Sequence, residues 1–163
     1  MEKKIKILFA AFVLLLFTTS FVHAQQGKLP PFKMMQTSGN IFKAQDLPMG
    51  KPILIIYFSP ECDHCEEVVK KFFKQAANFQ KASVAFITYL PVEKVSKFEK
   101  DYNLAKHPNM YSGTEGSSFF VRNYYKIIDV PFVALYKKNG DFVTSYEKDI
   151  DLKVLAEKLN DLK

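Results

Sequence analysis

Cysteine is scarce in this 163-residue chain, and tryptophan is absent. The two cysteines, Cys62 and Cys65, are three positions apart. A bridge between them closes too small a loop to remove much unfolded-state entropy, so a disulfide-stapled scaffold is excluded. Arginine is nearly missing as well, Arg122 standing alone. Lysines and acids are interleaved, no basic stripe forms, and nucleic acid is not expected as a partner. No internal repeat or low-complexity tract occurs, which argues against a solenoid or an extended disordered arm. Beyond the N-terminal stretch, no segment is apolar enough to cross a membrane.

What is present begins with an address. Lys3, Lys4 and Lys6 form a basic region, Ile7 to Phe17 an apolar run, and Val22-His23-Ala24 a small-residue cleavage signal. Residues 1–24 are therefore expected to be a signal peptide, with the mature chain starting near Gln25 in a periplasmic or other extracytoplasmic compartment. The alternative is an uncleaved membrane anchor over Ile7–Ala24, weakened by Thr18, Thr19, Ser20 and His23. Cleavage removes three lysines and Glu2, taking the net charge from +6 to +4. Residues 25–163 suit one domain, long enough to fold without staples.

The pattern of that domain is α/β. Apolar pieces at Phe32–Met35 and Asn40–Phe42, split by the Gly39-Asn40 turn signal, predict an edge hairpin. Ile53 to Phe58 is a continuous β-branched and aromatic run, the signature of a strand buried on both faces. Ser59-Pro60 ends it. Val68, Val69, Phe72, Phe73, Ala76 and Phe79 then recur at helical spacing, opposite Lys70, Lys71, Lys74 and Gln75. Ser83–Leu90 reads as a strand, and Pro91 to about Asn103 as a helix with proline in its first turn. The βαβ unit implies parallel strands. Residues 105–116 read as a loop and Ser117–Ile127 as a short helix. Phe132–Lys137 and Phe142–Tyr146 read as strands joined by a type I′ turn at Asn139-Gly140. Asp149 is expected to cap a last helix burying Leu152, Leu155, Leu159 and Leu162.

Cys62-Asp63-His64-Cys65 falls where the buried strand gives way to the helix. The first turn of a helix offers free N–H groups and the positive end of the macrodipole, which stabilise a thiolate. Cys62 is thus expected to be the exposed, attacking sulfur and Cys65, one turn on, the resolving thiol. His64 is expected to tune the pair by donating to the Cys62 thiolate or placing charge beside it; the plainer reading is a solvent-facing helix residue. Glu61, Asp63, Glu66 and Glu67 push the other way, though acids in a first turn are also ordinary dipole partners. Val130-Pro131 precedes a strand. A cis bond there sets the loop beside Cys62 with backbone groups free for an extended substrate; a trans proline simply starts the strand.

The stretch Leu29-Pro30-Pro31-Phe32, Gly39, Asp46-Leu47, Gly50-Lys51-Pro52, the run to Phe58 and Cys62-Asp63-His64-Cys65 resembles the TlpA-like branch of the thioredoxin superfamily. Val130-Pro131 and Tyr136 to Gly140 are similar to that superfamily's cis-proline strand and hairpin. The resemblance implies a thioredoxin fold, a central mixed sheet flanked by helices, with an N-terminal β-hairpin extension. It implies extracytoplasmic dithiol–disulfide exchange with Cys62 as nucleophile, and Pro131 in cis facing it, with Val130 and Pro131 contacting substrate. Partners are then cysteine-containing exported proteins and a membrane or periplasmic thiol donor. No cofactor and no metal are implied, and a monomer is expected. Two departures stand out. The tryptophan many relatives carry before the first cysteine is missing, Glu61 taking the adjacent place. The buried acid of many thioredoxins, six residues before that cysteine, is Ile56, so Cys65 must lose its proton to water or another group. A reductant role is favoured, with a disulfide donor as alternative. A peroxiredoxin reading has Ser59 in place but Ile55 where that family's proline belongs. A copper-binding or delivery protein would draw on Cys62, Cys65, His64 or His107, and Met34 and Met35.

Overall fold

The computed structural model describes residues 27–162 other than Met49, so the segment read as a signal peptide lies outside the described residues. The N-terminal pieces form the expected hairpin. β1 (Lys33–Met35) runs antiparallel to β2 (Ile41–Lys43), with Met34 opposite Phe42. Gly39 turns the chain between them at φ 83°, in the left-handed region that glycine enters without penalty.

β3 (Ile53–Tyr57) is buried at all five positions. It is followed by α1 (Asp63–Lys74), β4 (Ser83–Thr88) and α2 (Val92–Asp101), with Pro91 at the α2 N-cap. Then come β5 (Met110–Thr114), α3 (Phe120–Tyr125), β6 (Phe132–Tyr136), β7 (Phe142–Glu147) and α4 (Leu152–Asn160). The strands make one mixed sheet in the order β2-β1-β5-β4-β3-β6-β7. β3, β4 and β5 are parallel, and β6 lies antiparallel to β3. Side chains alternate across β3. Leu54 and Ile56 join the core that covers α1, α2 and α4; Ile53, Ile55 and Tyr57 join the core beneath the hairpin and α3. The fold class is therefore α/β, a central mixed sheet flanked by helices with an N-terminal hairpin.

Four expectations need correction. Residues 105–116 are not a plain loop, because β5 occupies Met110–Thr114 and docks the hairpin onto the sheet through Met35 opposite Thr114. The helix read through Phe79 stops at Lys74, and Ala76–Phe79 continue as a 3-10 turn. Asp151, not Asp149, caps α4, accepting from the N–H groups of Lys153 and Val154 at 2.9 and 3.2 Å. The β6–β7 turn is not type I′, which needs positive φ at both central residues. Gly140 has it (φ 80°) and Asn139 does not, and the register shifts beside Tyr136, as in a loop with a glycine bulge.

Gly113 in β5 explains why the hairpin fits. A Cβ at this position would lie 2.7 Å from Met34 Cγ and 2.9 Å from the Met35 carbonyl oxygen. The Met35 backbone cannot yield without breaking the β1–β5 pairing. Gly113→Ala is expected to destabilise the protein by about 1–3 kcal/mol, the usual cost of overpacking. Urea unfolding of the variant checks this, and an unchanged midpoint would show that the hairpin is loosely held.

Candidate active site

β3 delivers the chain into a short, closely bonded loop. Phe58 N–H donates to Ile87 O at 3.0 Å, extending the pairing with β4 by one step. Ser59 then folds the next residues back. Its carbonyl accepts from Cys62 N–H at 3.2 Å, and its Oγ from Glu61 N–H at 3.3 Å. Cys62 is the N-cap of α1, with extended backbone at φ −107°, ψ 117°. Its Sγ accepts from Cys65 N–H at 3.3 Å, so the sulfur does for the helix start what a serine or aspartate oxygen usually does. Its carbonyl takes the first helical bond, from Glu66 N–H at 2.9 Å. The cap geometry thus turns an orphan N–H of the first turn onto sulfur.

The two thiols differ in environment. Cys62 is half-buried, Cys65 wholly buried, and both are free. Burial pushes the Cys65 thiol up to about 12; a backbone contact from Ser59 opposes this and the nearby Cys62 sulfur adds to it. Cys65 belongs to the core cluster that contains Phe58, Phe72, Phe86 and Phe98, and Ile56 lies in the same cluster. That apolar setting is what the sequence led one to expect at position 56.

This burial has a consequence for stability. An unfolded thiol releases its proton near its ordinary value of 9.0, while the folded Cys65 keeps its proton to about 12. Between these limits the unfolded state binds fewer protons, so stability falls as pH rises. Tyr57, Tyr125 and Tyr136, all raised chiefly by burial from an ordinary value of 10.0, act in the same sense from about pH 10 upward. The reduced protein is therefore expected to lose stability between about pH 9 and 12, and Cys65→Ser to lose less. Urea titrations of both at pH 8 and 10.5 decide it; parallel losses would rule out the cysteine as the source.

His64 is half-exposed along its side chain, yet its ring also reaches across the fold. Its Nε2 lies 2.9 Å from the carbonyl oxygen of Lys148, 84 residues away. A carbonyl only accepts, so Nε2 carries the hydrogen. Asp149 Oδ1 stands 3.9 Å from the same nitrogen. Lys148 has a left-handed backbone (φ 63°), and its N–H donates to Pro131 O at 2.8 Å. The Val130–Pro131 bond is cis. One residue earlier, Glu147 Oε1 accepts from the N–H groups of Ile128 and Asp129, both at 2.6 Å. The turn after β7 therefore holds both the loop before Pro131 and the histidine between the cysteines. Cys62 and Val130 pack against the same core cluster. The structure thus links His64 with Val130-Pro131, and adds Glu147 and Lys148, which sequence reading missed. Neither carries a local signal: a lysine gives no hint of a left-handed backbone, and the contacts are long-range.

A family model described as AhpC/TSA family matches residues 26–155, ending within α4. The chain belongs to the AhpC/TSA family. No curated protein is similar enough to count as a match. Among solved structures, a secreted Mycobacterium tuberculosis disulfide oxidoreductase homologous to E. coli DsbE superposes with a TM-score of 0.66 at 20% identity, covering 81% of this chain and 96% of that one. M. tuberculosis DsbF gives a TM-score of 0.67 at 16% identity, over 82% and 96%. The exposed lipoprotein thioredoxin of Streptococcus pneumoniae gives 0.62 at 16% identity, over 82% and 100%. These likenesses establish the thioredoxin fold, and the superfamily read from the sequence stands. In this AhpC/TSA chain the matched range contains Cys62, His64, Cys65, Val130 and Pro131.

Proposed function

We propose that the protein is a thiol–disulfide oxidoreductase that reduces disulfides of exported proteins through Cys62 and Cys65. The observation that carries this is the α1 N-cap, where a half-exposed sulfur accepts the N–H of a wholly buried cysteine one turn on. The Cys62 thiolate attacks one sulfur of a substrate disulfide, forms a mixed disulfide and releases the other sulfur as a thiolate. The Cys65 thiolate then attacks Cys62 Sγ, closing the Cys62–Cys65 disulfide and releasing the second substrate thiolate. Two electrons pass to the substrate, which takes up two protons. A membrane or periplasmic thiol donor returns the pair to the dithiol. Val130 contributes backbone groups for an extended substrate: neither its N–H nor its carbonyl has a partner among the described residues.

The poise of the couple follows from opposed charges. The positive end of α1 favours the thiolate, and hence the reduced form. Asp63, Glu66 and Glu67 act against it, although Glu66 is paired with Lys70 at 2.6 Å and Glu61 with Lys94 at 2.5 Å. Surface effects of about 0.3–1 kcal/mol each cannot carry the couple to an extreme, so a potential between about −270 and −120 mV is expected. Equilibration with glutathione buffers measures it. A value near −120 mV, with an oxidised pool in cells, would make the protein a disulfide donor instead. Insulin reduction tests the activity itself.

Two other readings are separated by simple measurements. The family match and Ser59 favour peroxide reduction at Cys62, which predicts fast consumption of hydrogen peroxide by the dithiol. Against it, Ile55 stands where the peroxiredoxin proline belongs, and Ser59 Oγ is engaged by Glu61 N–H. Copper delivery predicts tight Cu(I) binding by the reduced protein; among the described residues, no three His, Cys, Asp or Glu side chains converge as a ligand set.

A further inference from the structure

We propose that the hollow between α1 and α2, beside Glu61, is a specificity pocket for an aromatic or large aliphatic side chain next to the reacting cysteine of the partner protein. The inference rests on the redox reading above and names which substrates that site takes. The hollow holds about 200 Å³. That is below the roughly 300–1,000 Å³ of small-molecule sites and suits a single side chain.

Its position ties it to the chemistry. One wall is Ser59-Pro60-Glu61, the loop whose Ser59 carbonyl holds Cys62 N–H. This wall runs directly into Cys62 in the chain, so a substrate bonded to Cys62 Sγ has residues beside its own cysteine that can turn towards it. The other walls are Phe58, Val69, Phe98 and Tyr102. Their rings form a continuous surface, with Phe58 and Phe98 centroids 4.7 Å apart and those of Phe98 and Tyr102 5.2 Å apart. Such edges and faces favour another ring over a polar group.

The charges at the mouth select the same occupant. Five charged residues line it, and each already has a partner in the chain. Glu61 pairs with Lys94 at 2.5 Å, Lys97 with Asp101 at 2.5 Å, and Glu66 with Lys70 at 2.6 Å. No unpaired charge is left to attract an ion. A charged side chain entering the hollow would lose water and gain no counter-charge, whereas an apolar one gains burial.

The test uses disulfide-linked dimers of short Gly/Ser peptides, each with one cysteine, and the purified protein kept reduced by dithiothreitol. A single Phe is moved through the two positions on either side of the cysteine, then replaced by Lys or Asp at the best position. Phe is expected to raise kcat/KM about tenfold at one position, the low end for an apolar pocket. Lys and Asp are expected to give no gain. Lys97→Trp, at a site whose side chain is 73% exposed, closes the mouth, and the Phe-to-Gly ratio is expected to fall towards one whatever the absolute rate. Asp101→Trp closes it from the neighbouring position and supplies the same ratio if the first variant folds poorly. No gain from Phe at any position, or an equal gain from Lys or Asp, overturns the pocket while leaving the exchange reaction standing. If no peptide disulfide is reduced faster than by dithiothreitol alone, the redox reading fails and the pocket fails with it.

Discussion

With Cys62 replaced by alanine, disulfide exchange is expected to fall by on the order of a thousandfold or more, since the nucleophile itself is gone. Cys65→Ser is expected to behave differently. It keeps the attacking sulfur and removes only the group that resolves the intermediate, so substrate should accumulate as a mixed disulfide on Cys62. The asymmetry follows from geometry: Cys62 is half-buried at the helix cap and Cys65 has no exposed surface. Mass spectrometry of proteins captured on each single-cysteine variant, quenched in acid, reads the outcome. Trapping mainly through Cys65 would reverse the assigned roles and remove the argument from the cap. Because the serine is close in size to the cysteine it replaces, the trap should not cost the fold.

The second large effect concerns pH. Cys65 must be ionised to attack Cys62 Sγ, and burial holds its thiol near 12. Below that value the thiolate fraction rises about tenfold with each pH unit. Release of a mixed disulfide from Cys62 is therefore expected to speed up about a hundredfold between pH 7 and 9, with no plateau in that range. Burial, the main cause of the shift, persists in the mixed disulfide, so the slope survives substrate binding. Stopped-flow release of a preformed adduct measures the step apart from the first attack. A flat profile would show that a protein group takes the Cys65 proton during the reaction, despite the apolar residues around it.

Much of this site was legible in the sequence because it is local. An apolar run that stops at Ser59-Pro60 and resumes with helical spacing puts Cys62 at a helix start, whatever the rest of the chain does. Val130-Pro131 before a strand was legible for the same reason. The parts that escaped are those set by distant neighbours. β5 reads Met-Tyr-Ser-Gly-Thr, with no alternation and with a glycine that lowers strand propensity. It is a strand because β4 and β1 flank it, and its glycine is there because Met34 and Met35 come so close. Asp149 and Asp151 are equally good capping residues on paper, and only the path of the chain decides that Asp151 faces the free N–H groups. Asn139-Gly140 signals a hairpin turn but not its type, since a glycine bulge uses the same pair. The bond from His64 to Lys148 spans 84 residues, and no periodicity announces it.

The place of β3 in the sheet bears on timescale. It lies between β4 and β6 with all five residues buried, so its amides meet solvent only when the whole domain opens. α3, six residues long and bounded by left-handed Phe119 and Lys126, can open by itself far more often. In deuterated water the inner strands β3, β4 and β6, buried at every position, are thus expected to take up label late and α3 early. The dithiol follows β3 by one short loop, so the cap at Cys62 is anchored to a part of the sheet that opens rarely.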